Sequence, residues 1–247
     1  MSGNNKQLNI LWLWPDILNL HGDRGNVMAL VRICRLYGIE ASVTRVNHLT
    51  DEYDFDATDI VILGAGELSV LPKIAGALSG EKFTKLKSWV NNGGVLFATG
   101  TTGAVLGVQT RRLDGSYIFG VGLLDMECHE RKEILGDDLI FRTQDGSVVC
   151  GIQIHMMDIN LAAEQKPFAE TIYGYGNNGG KSEGAIQENV IFTNALGPVL
   201  VKNPWLTLVL INRALSGKYD FDPDLFKLEL SSAEVIKKFN ENKEKPK

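Results

Sequence analysis

Gly93-Gly94-Val95-Leu96-Phe97-Ala98-Thr99-Gly100-Thr101-Thr102-Gly103-Ala104 is the stretch whose reading decides the fold of this chain. Just upstream, Phe83, Leu86, Trp89 and Val90 recur at helical spacing, and Gly93 and Gly94 end that helix. Val95 to Ala98 is then a short run with no polar residue, the pattern of a strand covered on both faces. It runs into a turn of threonines and glycines. A helix, a buried strand and a glycine turn in that order form one unit of an α/β fold, and the turn falls where such folds hold their ligands.

The same unit recurs towards the start. Leu8 to Leu13 is an apolar run; after a polar loop, Val27, Leu30, Val31 and Cys34 form a helix stripe closed by Gly38. Ala41 to Val46 reads as a strand, and Ile60 to Leu63 as a buried strand entering the turn Gly64, Ala65, Gly66. The second half is richer in glycine and in short β-like runs: Tyr117 to Leu124, Leu139 to Arg142, Val148 to Ile154, Ile172 to Gly176 and Val190 to Thr193. These runs are expected to add antiparallel strands to the parallel sheet. A helix from about Pro204 to Leu215 follows, then a polar amphipathic segment from Ser231 to Asn240 and a lysine-rich end, where fraying is the ordinary expectation.

Bulk properties exclude several classes of function. The chain has 247 residues, 44% hydrophobic and 22% charged, which suits a packed globular core. Its 25 basic residues against 30 acidic ones give a net charge of -5, so no general attraction to nucleic acid or anionic membrane is implied. No apolar run approaches the roughly 20 residues needed to span a bilayer, and the polar start from Ser2 to Gln7 has no signal-peptide core, so a cytoplasmic protein is expected. Cys34, Cys128 and Cys150 lack metal-ligand or disulfide-framework spacing, and no metal or cofactor is expected.

Several landmarks, taken in order, resemble the class I glutamine amidotransferases, in particular the cobyric-acid-synthase-like branch that includes the glutaminase subunits of lipid II isoglutaminyl synthases. Leu18-Asn19-Leu20-His21-Gly22-Asp23-Arg24-Gly25-Asn26 is similar to a loop of the form N-L-x-x-D-x-G-N in that family. Gly174-Tyr175-Gly176-Asn177-Asn178 with Glu183 and Gly184 is similar to a later stretch, and Gly197-Pro198-Val199-Leu200 with Lys202-Asn203-Pro204 to the segment after the family's catalytic histidine. The resemblance implies a flavodoxin-like three-layer α/β fold over 8–216, with a mostly parallel central sheet and some antiparallel strands in the second half. The remaining 217–247 would form a C-terminal extension with a helix. It also implies a family activity of glutamine hydrolysis or amidotransfer, and a Mur-ligase-like partner subunit in peptidoglycan precursor modification.

The departures fall on the chemistry. Where the family has C-G-G-x-Q, this chain reads Gly100-Thr101-Thr102-Gly103-Ala104, and where the family has L-H-G-P it reads Ala195-Leu196-Gly197-Pro198. The nucleophile position is thus Gly100 and the base position Leu196. Glu133 stands at the spacing of a substrate-holding arginine before Gly136 and Asp137, with Arg131 and Lys132 out of register. A thiol nucleophile and its base are both missing, which implies a degenerate, non-hydrolysing member. The turns could still form a ligand pocket from Gly64, Ala65, Gly66, Gly100, Thr101, Thr102, Asp23 and His21, because glycine turns at helix starts expose backbone N–H groups that take a small amide or carboxylate. An atypical enzyme using His21 and Asp23 beside Gly100 is the alternative. Adjacent side chains on a strand face opposite ways, so Cys128 and His129 do not form a nucleophile–base pair.

Overall fold

The computed structural model describes residues 7–217 and 219–241. In chain order the elements are β1 (Gln7–Leu13), α1 (Arg24–Leu36), β2 (Glu40–Val46), β3 (Ile60–Leu63), α2 (Leu71–Ala77), α3 (Glu81–Asn91), β4 (Val95–Thr99), α4 (Gly103–Leu106), β5 (Gln109–Arg111) and β6 (Tyr117–Phe119). Then come β7 (Met126–Thr143), β8 (Val148–Leu161), β9 (Ala169–Tyr173), β10 (Ser182–Glu183), β11 (Ala185–Gln187), β12 (Val190–Thr193), α5 (Val199–Lys202), α6 (Pro204–Ala214) and α7 (Lys227–Glu241). The polar start before Gln7 and the lysine-rich end after Glu241 lie outside the described residues.

The central sheet runs β2-β1-β3-β4-β12-β11. Its first five strands are mutually parallel, and β11 joins the edge antiparallel to β12. Alternation along the strands divides the core. Leu11, Leu13, Val61, Leu63, Leu96 and Ala98 pack towards α2 and α3, while Leu8, Ile10, Ile60, Ile62, Val95 and Phe97 pack towards α1 and α6. Three layers follow from the period of two on a sheet buried on both sides. The expected α/β three-layer fold is present.

Most of the antiparallel strands do not join this sheet. They form a second one, ordered β10-β9-β7-β5-β6, with β8 paired along β7. The short runs at Leu139 to Arg142 and Val148 to Ile154 are pieces of one long hairpin, whose pairing slips between Glu130 and Leu135. Of the run Tyr117 to Leu124, only Tyr117–Phe119 is strand. Helix α2 had no expectation behind it, since Pro72 and Gly76 break its pattern.

The start of the C-terminal segment packs against the end of α1. Phe226 is fully buried, Phe221 stacks on it at 4.7 Å, and Tyr37, which follows α1, lies 5.9 Å from it. Tyr37 also donates its hydroxyl to the Asp220 carbonyl, and Arg32 pairs with Glu229. The stretch from Asp220 to Glu229 is therefore a cover for the end of α1. Phe226→Ala is expected to lower the unfolding free energy by about 3–5 kcal/mol in a urea titration; a loss under about 1 kcal/mol would mean that this segment is not part of the core.

Candidate functional site

The C-terminal ends of β1, β3, β4 and β12 lie at one edge of the central sheet, and the loops leaving them converge there. The loop after β1 is fastened by four residues of one short stretch. Asn19 Oδ1 accepts from Arg24 N at 2.9 Å at the start of α1. Asp23, 1% exposed, accepts from Thr99 Oγ1 at 2.7 Å and from Ala65 N at 3.2 Å, so one carboxylate ties the ends of β3 and β4 to this loop. Gly25 has no side chain because a Cβ would lie 2.5 Å from Pro198 Cβ. Asn26 Oδ1 accepts from Leu200 N at 2.9 Å and so holds the start of α5. Burial pushes the Asp23 carboxyl up, against the Thr99 and Ala65 bonds and nearby His21, which pull it down.

Gly100 follows β4 directly with φ +60, a left-handed conformation that costs a residue with a side chain more than it costs glycine. A Cβ there would lie 2.8 Å from Leu196 Cδ2 and 3.1 Å from Ala65 Cβ. Leu196 is 2% exposed, and its backbone exchanges two hydrogen bonds with Ile152 of β8, at 2.7 and 3.3 Å. Leu196 and Gly100 therefore face each other, with apolar contact between them. Two amides of the turn after β3 are already engaged: Ala65 N donates to Asp23, and Gly66 N donates to Thr101 Oγ1 at 3.0 Å. Thr101 Oγ1 in turn donates to the Gly66 carbonyl at 2.6 Å, and Thr102 Oγ1 to the Thr99 carbonyl at 2.8 Å. The helix after Gly100 is one 3-10 turn followed by the four residues of α4. Gly64, Ala65, Gly66, Gly100, Thr101, Thr102 and Asp23 come together, and partly exposed His21 sits in the loop beside Asp23.

Two curated relatives match nearly end to end. The chain is 29% identical to "Lipid II isoglutaminyl synthase (glutamine-hydrolyzing) subunit GatD" of Streptococcus pneumoniae over 97% of this chain and 93% of that one. It is 28% identical to the subunit of the same name from Staphylococcus aureus, over 88% of each. The chain is a homologue of GatD. A solved glutamine amidotransferase covers 83% of this chain and 98% of its own, with a TM-score of 0.54 at 17% identity, which agrees with the fold. No family model matches the chain.

Other titratable groups have structural settings. Burial pushes the Cys34 and Cys128 thiols up to about 12, far from nucleophilic at neutral pH. Cys128 is buried while His129 is exposed, on opposite faces of β7. Glu133 is exposed in the β7 irregularity, and Arg131 is paired with Asp158 at 2.6 Å and Tyr175 OH at 2.7 Å.

Sequence reasoning missed a buried polar network behind Leu196. Glu183, fully buried, accepts from Thr193 Oγ1 at 2.6 Å, Asn194 N at 2.8 Å and Asn194 Nδ2 at 2.9 Å. Asn194 Nδ2 also donates to Asn177 Oδ1 at 2.8 Å. His155 Nε2 donates to the Asn177 carbonyl at 3.1 Å, which leaves Nδ1 to accept from Gln153 Nε2 at 2.9 Å, so one neutral tautomer fits. The glycine-rich stretch around Asn177 signalled family likeness, and nothing in it signalled this network.

Burial lowers the His155 pKa to about 4, with the Arg131 cation adding to the effect and the Asn177 bond and Asp158 opposing it. The folded value lies below the unfolded one, so this group's contribution is complete above about pH 6.5 and is lost as the pH falls towards 4. The difference in unfolding free energy between the parent and His155→Gln is expected to shrink by about 3 kcal/mol across that window. A difference that stays flat from pH 7 to about 4 would show that His155 is not held neutral.

Proposed function

We propose that this chain is a non-hydrolysing amidotransferase-like subunit, a binding or scaffold partner for a Mur-ligase-like protein in the modification of peptidoglycan precursors. The observation that carries this reading is the contact between Gly100 and Leu196. Gly100 takes the positions of strand end, turn and positive φ at which a family nucleophile would stand, and Leu196 fills the space beside it with carbon. Glutamine hydrolysis in such a site needs a thiolate and a group to move its proton, and glycine and leucine offer neither. Thr101 is no substitute, since its hydroxyl is engaged with Gly66 on both sides.

The relatives support the subunit role, being named as subunits of a lipid II isoglutaminyl synthase. The loop fastening by Asn19, Asp23 and Asn26 is intact, so the frame that would present a partner surface does not depend on the missing side chains. A small amide or carboxylate ligand that takes the Ala65 and Gly66 amides would have to displace Asp23 and Thr101 from them.

Two measurements test the proposal. Ammonia release from glutamine by the purified chain, alone and mixed with a Mur-ligase-like subunit from the same source, is expected to stay at the buffer blank. Binding of that subunit, followed by calorimetry, is expected to be saturable. Turnover at the rate of a GatD relative, or no binding, would defeat the reading.

Repair of the site is a further check. In Gly100→Cys alone the new Cβ meets Leu196, so the thiol is expected to be strained and slow to alkylate at pH 7. Adding Leu196→His removes that obstacle and brings a ring nitrogen to about 3–3.5 Å from the sulfur, which should raise the rate about tenfold or more. The three native thiols are buried and serve as the blank in the parent. Equal rates in the single and double variants would mean that residues 100 and 196 do not form a nucleophile–base pair of positions.

A further inference from the structure

The second sheet ends on β6, which pairs with β5 and has no strand on its other side among the described residues. Arg112 N donates to the Ser116 carbonyl at 2.8 Å and Gly120 N to the Val108 carbonyl at 3.0 Å, which brackets the pair Thr110–Ile118, so the main chain of Ile118 faces β5. The main-chain N–H and carbonyl groups of Tyr117 and Phe119 therefore point outward, and they find no hydrogen-bond partner among the described residues. Such a row of open groups is a template for another strand.

The side chains beside that edge are as open as its backbone. Tyr117 and Phe119 are 47% and 69% exposed and stack on one another at 6.2 Å, on the face opposite buried Ile118. A groove of about 470 Å³ runs between β6 and α2, lined on the α2 side by Pro72, Gly76 and Ser79. Edge strands are ordinarily guarded by lysine, proline or an inward-pointing charge. Here the ten residues from Gly115 to Leu124 contain no charge and no proline, in a chain that is 22% charged. No described residue that lines the groove is charged either.

We infer that two copies of this chain associate through β6, by antiparallel pairing of the strand with itself about a two-fold axis at Ile118. The order aromatic, aliphatic, aromatic in Tyr117-Ile118-Phe119 reads nearly the same in both directions. That register sets Tyr117 of each copy opposite Phe119 of the other, where each pair exchanges both of its main-chain bonds and packs ring against ring. A two-fold contact also brings every residue near the axis against its own kind, so a charge there would meet its like. The uncharged edge and groove satisfy that condition, and Pro72, Gly76 and Ser79 are small enough to leave room for α2 of the second copy. The contact is short, so the dimer is a reversible one. It uses no residue of the Gly100 turn and stands or falls separately from the reading of that turn.

The test is sedimentation equilibrium of the full chain from about 1 to about 200 μM, a range that brackets weak association. The mass is expected to rise from that of one chain towards that of two. Phe119→Lys changes an exposed side chain and should raise the dimer Kd about tenfold or more. Disulfide formation reads the register. Chains with Tyr117→Cys, mixed with chains with Phe119→Cys, are expected to crosslink under mild oxidant, because the residues of a bonded pair lie about 5.5 Å apart at Cα. Either variant alone should crosslink about fivefold more slowly or less, since equal positions lie on a diagonal of about 7–8 Å. The three native thiols are buried and give the blank. A single-chain mass up to about 200 μM overturns the inference and leaves the edge to an extended segment of another protein. A dimer that Phe119→Lys leaves intact overturns it too, as do equal-position crosslinks that form as fast as the mixed ones.

Discussion

One buried carboxylate sets the geometry of the sheet edge at Gly100. Asp23 bonds to the hydroxyl that ends β4 and to the amide that follows β3, from a loop that leaves β1. A carboxylate in such a place is costly to desolvate, and only a full set of donors makes it tolerable. The three strand ends are thereby held at fixed spacing. Gly64 is the corollary, since a Cβ there would stand 2.7 Å from the Asp23 Cβ. Asn26, three residues on, fixes α5 through the Leu200 amide, and Gly25 lets Pro198 sit directly against the helix. A nine-residue stretch, 18–26, thus decides where the segment bearing Leu196 can lie.

The parts of the fold that could be read from sequence were those with short-range signals. β1, β3 and β4 are buried on both faces and read as apolar runs, and α1 and α3 carry clean stripes ended by glycine. The long hairpin was not legible. β7 carries Glu130 to Glu133, then Gly136, Asp137 and Asp138, so its alternation is broken where the pairing slips, and only its apolar end looked like a strand. That these strands form a sheet of their own is a matter of long-range pairing, to which periodicity is blind.

That Gly64 to Gly66, Gly100 to Thr102 and Asp23 meet at one sheet edge was legible in the sequence. Family likeness gave the positions of Gly100 and Leu196 and the loop with Asp23, and β-strand alternation separated Cys128 from His129. The directions of the hydroxyls were beyond it. Thr101, expected as part of a pocket lined by exposed amides, is instead the group that engages one of them. His155 lies just past the run Val148 to Ile154; it is interior to β8, because that strand runs on to Leu161.

The network behind Leu196 holds the frame without the side chain at residue 196. Glu183, Asn194 and Asn177 bond to one another and to the main chain, and none of those bonds involves the side chain at 196. Leu196 itself is held through its backbone, by Ile152. The position of residue 196 is therefore set independently of which residue it is. A histidine there would be presented at the same point, and a leucine there contributes about 1.5–3 kcal/mol of burial and removes the need to hydrate a polar ring. With leucine packed beside Gly100, a side chain at residue 100 would have to displace carbon in a strained conformation, so the two positions constrain each other.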